Sequence, residues 1–280
     1  MELRITILCD NTAGFVPEII GEHGFAALIE KREGNYLFDT GQGIGLENNA
    51  LVLEKDLRPV KKVILSHGHR DHTGGLLSLI EICPGVEVCA HPDVFLKRFS
   101  IRNINGKEVK RPIGAKFSSR DLKQRGARIE LHRELFPIAK GLYLTGEVPR
   151  LAPFEEGDPQ LYKKEGDQLE PDPVLDDLSL ILKTTRGLIV LLGCAHSGLI
   201  NILHHIRENF PKDRIHVIIG GTHLGFLNPE QRQKTIEALQ YFDFDRIGPA
   251  HCTGQKAASE LFQAFPDRFF FPYVGSVFEV

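Results

Sequence analysis

No stretch of this chain approaches about 18 consecutive apolar residues, so no membrane-spanning helix is expected. Cysteine is sparse. Cys9, Cys83, Cys89, Cys194 and Cys252 make an odd number, and no two form a CxxC pair. That pattern argues against a disulfide framework and points to a reducing, cytoplasmic compartment. Neither sign of charge dominates, with 34 Lys and Arg against 37 Asp and Glu and a net charge of −3. There is no basic stripe, so neither nucleic acid nor a membrane surface is an expected partner. Internal repeats and low-complexity segments are absent. Met1 to Asp10 alternates charged with apolar residues and reads as a strand, not a leader. What remains is ordinary globular material. The 280 residues are 42% hydrophobic and 25% charged, enough for one α/β domain across 1–280 with a buried core.

The chemistry is concentrated in Ser66-His67-Gly68-His69-Arg70-Asp71-His72-Thr73-Gly74-Gly75. An apolar run, Val63-Ile64-Leu65, precedes it and another, Leu76 to Ile82, follows it. This reads as a buried strand, a tight loop and a helix. Neutral imidazoles and a carboxylate suit a divalent ion such as zinc, and also manganese or iron. Histidines two apart can turn toward one ion. The Asp and His that follow can reach a second ion a few ångströms away, as hydrolytic two-metal sites require. A single loop His is usually only solvated, but three His and one Asp at this spacing are not.

Around this loop the pattern is regular. Strands are expected at Leu3–Leu8, Gly24–Glu30 and Tyr36–Phe38, and a helix over Asn48–Leu57. From about 95 to 175 the pattern breaks into charges, Gly and Pro. This part reads as an inserted α+β segment packed over the site. Its Lys107, Lys110, Arg111 and Arg150 are candidates to meet a small anionic substrate. The second half resumes with a hairpin over Leu178–Lys183 and Leu188–Leu192. Further strands are expected at Ile215–Ile219, Asp245–Pro249 and Arg268–Val274, with helices between. Three of these strands end in a His: His196, His223 and His251. Strand ends along one sheet edge are where α/β folds place their sites, so these three are further candidate ligands.

The His67-x-His69-x-Asp71-His72 segment resembles the HxHxDH signature of the metallo-β-lactamase superfamily, and the match is complete. CDNTA, TGEVPR followed by FE, GCAHSGLINIL, GGTHL and AHCTG resemble its dihydropteroate-synthase-like branch over nearly the whole chain. That branch includes 7,8-dihydropterin-6-methyl-4-(β-D-ribofuranosyl)aminobenzene-5′-phosphate synthases. The resemblance implies a metallo-β-lactamase-like αββα sandwich with two metal ions, zinc first. His67, His69 and His196 would hold one ion; Asp71, His72 and His251 would hold the other. Asp39 matches the position of an Asp that steadies the ligands, and Asn11 falls in the CDNTA motif. The Asp that usually bridges the ions is missing. Cys194 stands nearest its place, with His223, Asp176 and Asp177 as other candidates.

The expected activity is metal-assisted hydrolysis at a phosphoryl or acyl centre. Asp71 and His223 are the candidate catalytic residues, and the inserted segment selects the substrate. The alternatives are a pterin-related synthase using the ions as Lewis acids and a non-hydrolytic metal-binding or redox protein. The last would favour iron, but the signature lacks the Glu that diiron redox relatives carry in place of the second His.

Overall fold

The computed structural model describes residues 3–280; Met1 and Glu2 lie outside them. The first strands are β1 (Leu3–Cys9), β2 (Ala26–Lys31), β3 (Gly34–Phe38), β4 (Val60–Ile64) and β5 (Glu87–Ala90). After them come β6 (Arg98–Ile104), β7 (Lys107–Pro112), β8 (Arg128–Leu131), β9 (Phe136–Ala139), β10 (Leu142–Leu144), β11 (Leu161–Glu165) and β12 (Gln168–Pro171). The last are β13 (Ser179–Thr184), β14 (Gly187–Leu192), β15 (Ile215–Gly221), β16 (Phe244–Ala250) and β17 (Val277–Glu279). The helices are α1 (Leu46–Val52), α2 (Arg70–Thr73), α3 (Leu76–Ile82), α4 (Ser119–Gln124), α5 (Leu199–Asn209), α6 (Pro229–Leu239) and α7 (Gly254–Ala264).

Two sheets stack between helices, giving the αββα order. The first runs β17-β1-β2-β3-β4-β5-β8 and the second β16-β15-β14-β13-β10-β9. Alternation along each strand explains the stacking, because successive side chains point to opposite faces. On β2 and β3, Ala27, Ile29 and Phe38 enter the core between the sheets, where Leu180, Ile189 and Ile219 of the second sheet meet them. Leu28 and Leu37 face the other way, onto Leu46, Leu76 and Leu79 of α1 and α3. Ile181, Val190 and Ile218 likewise turn outward to Leu199, Leu203 and Leu239 of α5 and α6. Each fully buried Leu or Ile contributes about 1.5–3 kcal/mol.

The register places the site. β14, β15 and β16 are parallel, pairing Leu192 with Gly220 and Gly220 with Pro249. Their carboxyl ends, carrying Cys194, His196, His223 and His251, therefore finish along one edge. β3 and β4 are also parallel, with Phe38 opposite Ile64, so Asp39 and Ser66 emerge side by side.

The stretch expected as one insertion over 95–175 is in fact divided. β6, β7, β11 and β12 form a separate sheet in the order β12-β11-β6-β7. The residues between them return to the sandwich: β8 pairs with β5, β10 with β13, and Leu122 of α4 is buried in the helix-side core. Ile138, Leu142 and Leu144 of this part are all buried between the sheets. The strand expected at Arg268–Val274 is a second correction. Among its residues Phe269 makes an isolated bridge to Ile247, and the edge strand beside β1 is β17. Pro272 offers no amide hydrogen to a ladder, which breaks the run.

Gly193, at the end of β14, must be glycine. A Cβ there would overlap Ser66 Oγ and Cβ and stand 3.3 Å from Asp39 Oδ2. Gly193→Ala is expected to displace Ser66, to cost about 1–3 kcal/mol through overpacking, and to lower metal content in the same sample. An unchanged unfolding midpoint with unchanged metal content would refute the contact.

Candidate functional site

The metal loop leaves β4 at Leu65 and is held rigidly before it reaches the ligands. Arg70 N–H donates to Ile113 O at 2.7 Å, and His69 bridges Gly114, tying the loop to the residues that directly follow β7. Gly68 N–H donates to Asp176 Oδ2 at 2.8 Å. That carboxylate is itself gripped by Arg98, whose Nη1 and Nη2 donate to Asp176 Oδ2 and Oδ1 at 2.8 and 2.5 Å, and whose Nε donates to Asp172 Oδ2 at 2.6 Å. Arg98 is fully buried. Gly68 carries no side chain because a Cβ would run into Val94 O and the Arg98 guanidinium.

Four residues around the site hold left-handed backbone without being glycine: Asp39 (φ 59°), Ala195 (φ 54°), His223 (φ 57°) and His251 (φ 49°). Each such conformation costs of order 1–3 kcal/mol and persists only where the surroundings fix it. Here it aims two imidazoles, of His223 and His251, and one supporting carboxylate, of Asp39, inward.

The donor atoms converge. His67 Nε2 stands 3.0 Å from His69 Nδ1, and the His196 ring lies 4.8 Å from both rings. His72 Nε2 stands 3.2 Å from His251 Nε2 and 3.2 Å from Cys194 Sγ. Asp71 Oδ2 lies 3.3 Å from His251 Nε2 and 3.8 Å from His72 Nε2. Cys194, His223 and Cys252 form an adjoining buried group. The six expected ligands are thus brought together in two neighbouring sets, and Cys194 sits within the second.

Outer hydrogen bonds decide which nitrogen each ring presents. Asp39 accepts from Ser66 N–H and Ser66 Oγ–H, each at 2.7 Å, and from His72 Nδ1–H at 2.7 Å. A carboxylate only accepts, so Ser66 spends its proton on Asp39 and must itself accept from His67 Nδ1–H at 2.9 Å. Asn11 Oδ1 accepts from His251 Nδ1–H at 2.8 Å. His67, His72 and His251 therefore all turn Nε2 inward.

Two imidazole nitrogens facing each other at 3.2 Å, with a carboxylate oxygen beside them, need a proton or a metal cation between them. His69 Nε2, His196 Nε2 and both nitrogens of His223 are also buried without a hydrogen-bond partner. Buried polar atoms are normally paired. This donor set fits divalent metal. Replacing Asp39 with asparagine is expected to weaken metal binding roughly 10–100-fold, as loss of an outer partner does. Equilibrium dialysis against a competing chelator reads that shift, and an unchanged affinity would contradict the relay through Ser66.

The electrostatics agree. Burial, then the neighbouring His72, keeps His67 well below its usual range; burial and His223 do the same to His196. Burial with the Arg98 charge lowers His69 to about 3. These rings are neutral, as ligands must be. Burial opposes charge on His72, but Asp39 and Asp71 prevail and raise it to about 9, so a proton competes with a metal ion for its Nε2. Asp71 is held down despite burial by His72 and His251. Burial pushes the Cys194 thiol up, whereas Cys252, despite burial, is held down by Cys194 and His223.

Some expected roles change. Arg150 does not face the cavity. Its Nη1 donates to His196 O at 2.8 Å and its Nη2 to Pro173 O, so it braces the His196 loop from behind. Asp176 is engaged by Arg98 and Gly68, and Asp177 Oδ2 accepts from Ser197 N–H and Oγ–H; neither joins the clusters of ligand-type atoms. Of the basic residues singled out in the sequence, Arg111 lines the cavity over the site, while Lys110 lies over the Phe99 ring. Sequence reasoning misses His23, whose Nε2 is 3.4 Å from Asp71 Oδ2, and Asp158, 3.8 Å from His223 Nε2. Neither belongs to a spaced motif that could have marked it. Cys252 follows directly on His251, and only the fold brings it to Cys194.

A family model described as the metallo-beta-lactamase superfamily matches residues 19–205. The chain is 33% identical to an uncharacterized protein of Methanocaldococcus jannaschii, over 98% of both chains. It is 28% identical to the 7,8-dihydropterin-6-methyl-4-(beta-D-ribofuranosyl)-aminobenzene-5'-phosphate synthase of the same organism, over 98% of this chain and 96% of that one. A crystal structure of a metal-dependent hydrolase of the beta-lactamase superfamily superposes with a TM-score of 0.83 at 29% identity, covering 100% of this chain and 99% of the other.

Proposed function

The chain belongs to the metallo-beta-lactamase superfamily, and on that premise we propose that it is a metal-dependent hydrolase of a small phosphorylated or carboxylated metabolite. The observation carrying this reading is the convergence of two Nε2 atoms, of His72 and His251, 3.2 Å apart beside Asp71. His67, His69 and His196 would hold one divalent ion. Asp71, His72 and His251 would hold a second, with the Cys194 thiolate in the place of the missing bridging Asp. Imidazole, carboxylate and thiolate together favour zinc over manganese or iron. Such ions, when bound, bring the pKa of a coordinated water near neutrality and polarise the oxygen under attack.

The remaining work falls to the chain. Asp39, through Ser66, fixes the ring tautomers so that no ligand must reorganise. His223, facing Asp158 and raised to about 9 by that carboxylate and Cys252 against burial, presents an Nε2 proton to an oxygen gaining charge. The buried walls around His196 and Cys194 exclude bulk water from these contacts.

Bis(p-nitrophenyl) phosphate turnover by zinc-loaded protein tests the reading. Hydrolysis should vanish with chelator and return with zinc. The synthase relative, matched over nearly the full chain, supports one other reading: the same ions act as Lewis acids in joining a pterin-type precursor to its partner. Product formation from dihydropterin precursors, with every phosphodiester and lactone refused, would decide for it.

A further inference from the structure

A cavity of about 390 Å³ opens onto His69, His196 and His223, and its outer wall belongs to the separate β6–β7–β11 sheet. Three guanidiniums line it: Arg70, Arg102 and Arg111. Arg102 is held from three sides. Its Nε donates to Ser100 Oγ at 3.2 Å, its guanidinium lies 5.0 Å over the Phe226 ring, and Asp158 Oδ2 is 4.0 Å away. Among the described residues, Arg70 and Arg111 form no ion pair. The metal ligands apart, three guanidiniums face one carboxylate, Asp158, leaving a surplus of two positive charges in a chain whose net charge is −3.

We propose that this arginine wall binds a phosphoryl dianion carried by the substrate away from the bond that is cleaved. The substrate class is then a phosphorylated small molecule, and a simple carboxylate is a poor match. A dianion neutralises the surplus where a carboxylate, with one charge, does not. Planar guanidinium forks suit phosphoryl oxygens in paired hydrogen bonds. Val109, Leu161 and Phe226 line the same cavity and offer an apolar surface for the body of the molecule. The inference rests on the hydrolase reading of the same cavity, and it assigns specificity to the sheet that interrupts the sandwich.

Calorimetric titration of zinc-loaded protein with phenylphosphonate at pH 8 tests it. This probe carries a dianion and a ring but no ester bond to hydrolyse. Benzoate is the monoanionic control, and the proteins are wild type, Arg102→Gln, Arg111→Gln and His69→Ala. Arg102 and Arg111 lie outside the buried cores, so both glutamine variants should fold. The expected result is phenylphosphonate bound at least tenfold more tightly than benzoate, a loss of at least tenfold in either arginine variant, and a change of only a few-fold in His69→Ala. Affinity that survives both arginine variants but falls with His69→Ala places the anion on the metals and overturns the proposal; so does equal binding of benzoate. Turnover of bis(p-nitrophenyl) phosphate is read separately, so failure of the hydrolase reading leaves the binding result standing on its own.

Discussion

Protein carrying His69→Ala is expected to lose bound metal and, with it, hydrolytic turnover. His69 Nδ1 stands 3.0 Å from His67 Nε2, and its ring borders His196, so its loss removes one of three donors from the first ligand set. Wild-type protein, purified without added metal, should carry about two divalent ions per chain, as two-metal hydrolases do. The variant should carry about one or fewer, and turnover should fall by more than the roughly 100-fold upper bound for loss of an outer-shell partner. The second set shares no donor with His69, so residual metal in the variant would report on Asp71, His72, His251 and Cys194. Two ions of iron in the wild type would move weight toward redox chemistry. Unchanged metal content and unchanged turnover in the variant would remove the basis for the proposed function.

The second large effect is on stability. Arg98 is buried with Asp172 and Asp176, and all three hydrogen bonds it donates to them are 2.5–2.8 Å long. Arg98→Ala leaves two buried carboxylates without their counter-charge. Breaking one side of a buried ion pair costs about 3–5 kcal/mol, far more than the pair contributes over an apolar replacement. Denaturant unfolding should show a loss of that size. Because Asp176 also accepts Gly68 N–H, the metal loop should loosen and metal content should fall with stability. The triple variant Arg98→Met, Asp172→Asn, Asp176→Asn removes all three charges and should recover much of the stability. If Arg98→Ala unfolds at the wild-type midpoint, the buried triad does not hold the loop.

Local sequence determined a good deal. His67, His69, Asp71 and His72 lie within six residues, so short backbone segments alone bring their side chains near one another. The strands that end in His196, His223 and His251 were legible for a similar reason. β14 is an apolar run throughout and β15 is one from Val217 to Ile219, as buried parallel strands are, and all three strands stop at small residues before their histidines. The αββα layering followed from the resemblance; the structure adds that β2 and β3 divide their side chains between two cores.

The tertiary structure decided what depends on contacts between distant parts of the chain. His72 and His251 meet across 179 residues, and Arg98 reaches Asp176 across 78. No periodicity encodes such pairs. Hence Arg150, Asp176 and Asp177, which look from sequence like site residues, are bracing groups: Arg150 holds the His196 and Pro173 carbonyls, Asp176 holds Arg98 and Gly68, and Asp177 holds Ser197. Arg70 and Arg102, unremarked in sequence, turn into one cavity with Arg111. The segment from about 95 to 175 reads as one irregular stretch, but its apolar residues divide between two destinations. Sequence alone determined which residue types could bind metal, since donor chemistry and local spacing are properties of the chain. Only the fold decided which nitrogen of each ring faces inward, because that depends on partners such as Asp39 and Asn11, brought up from strand ends far away in sequence.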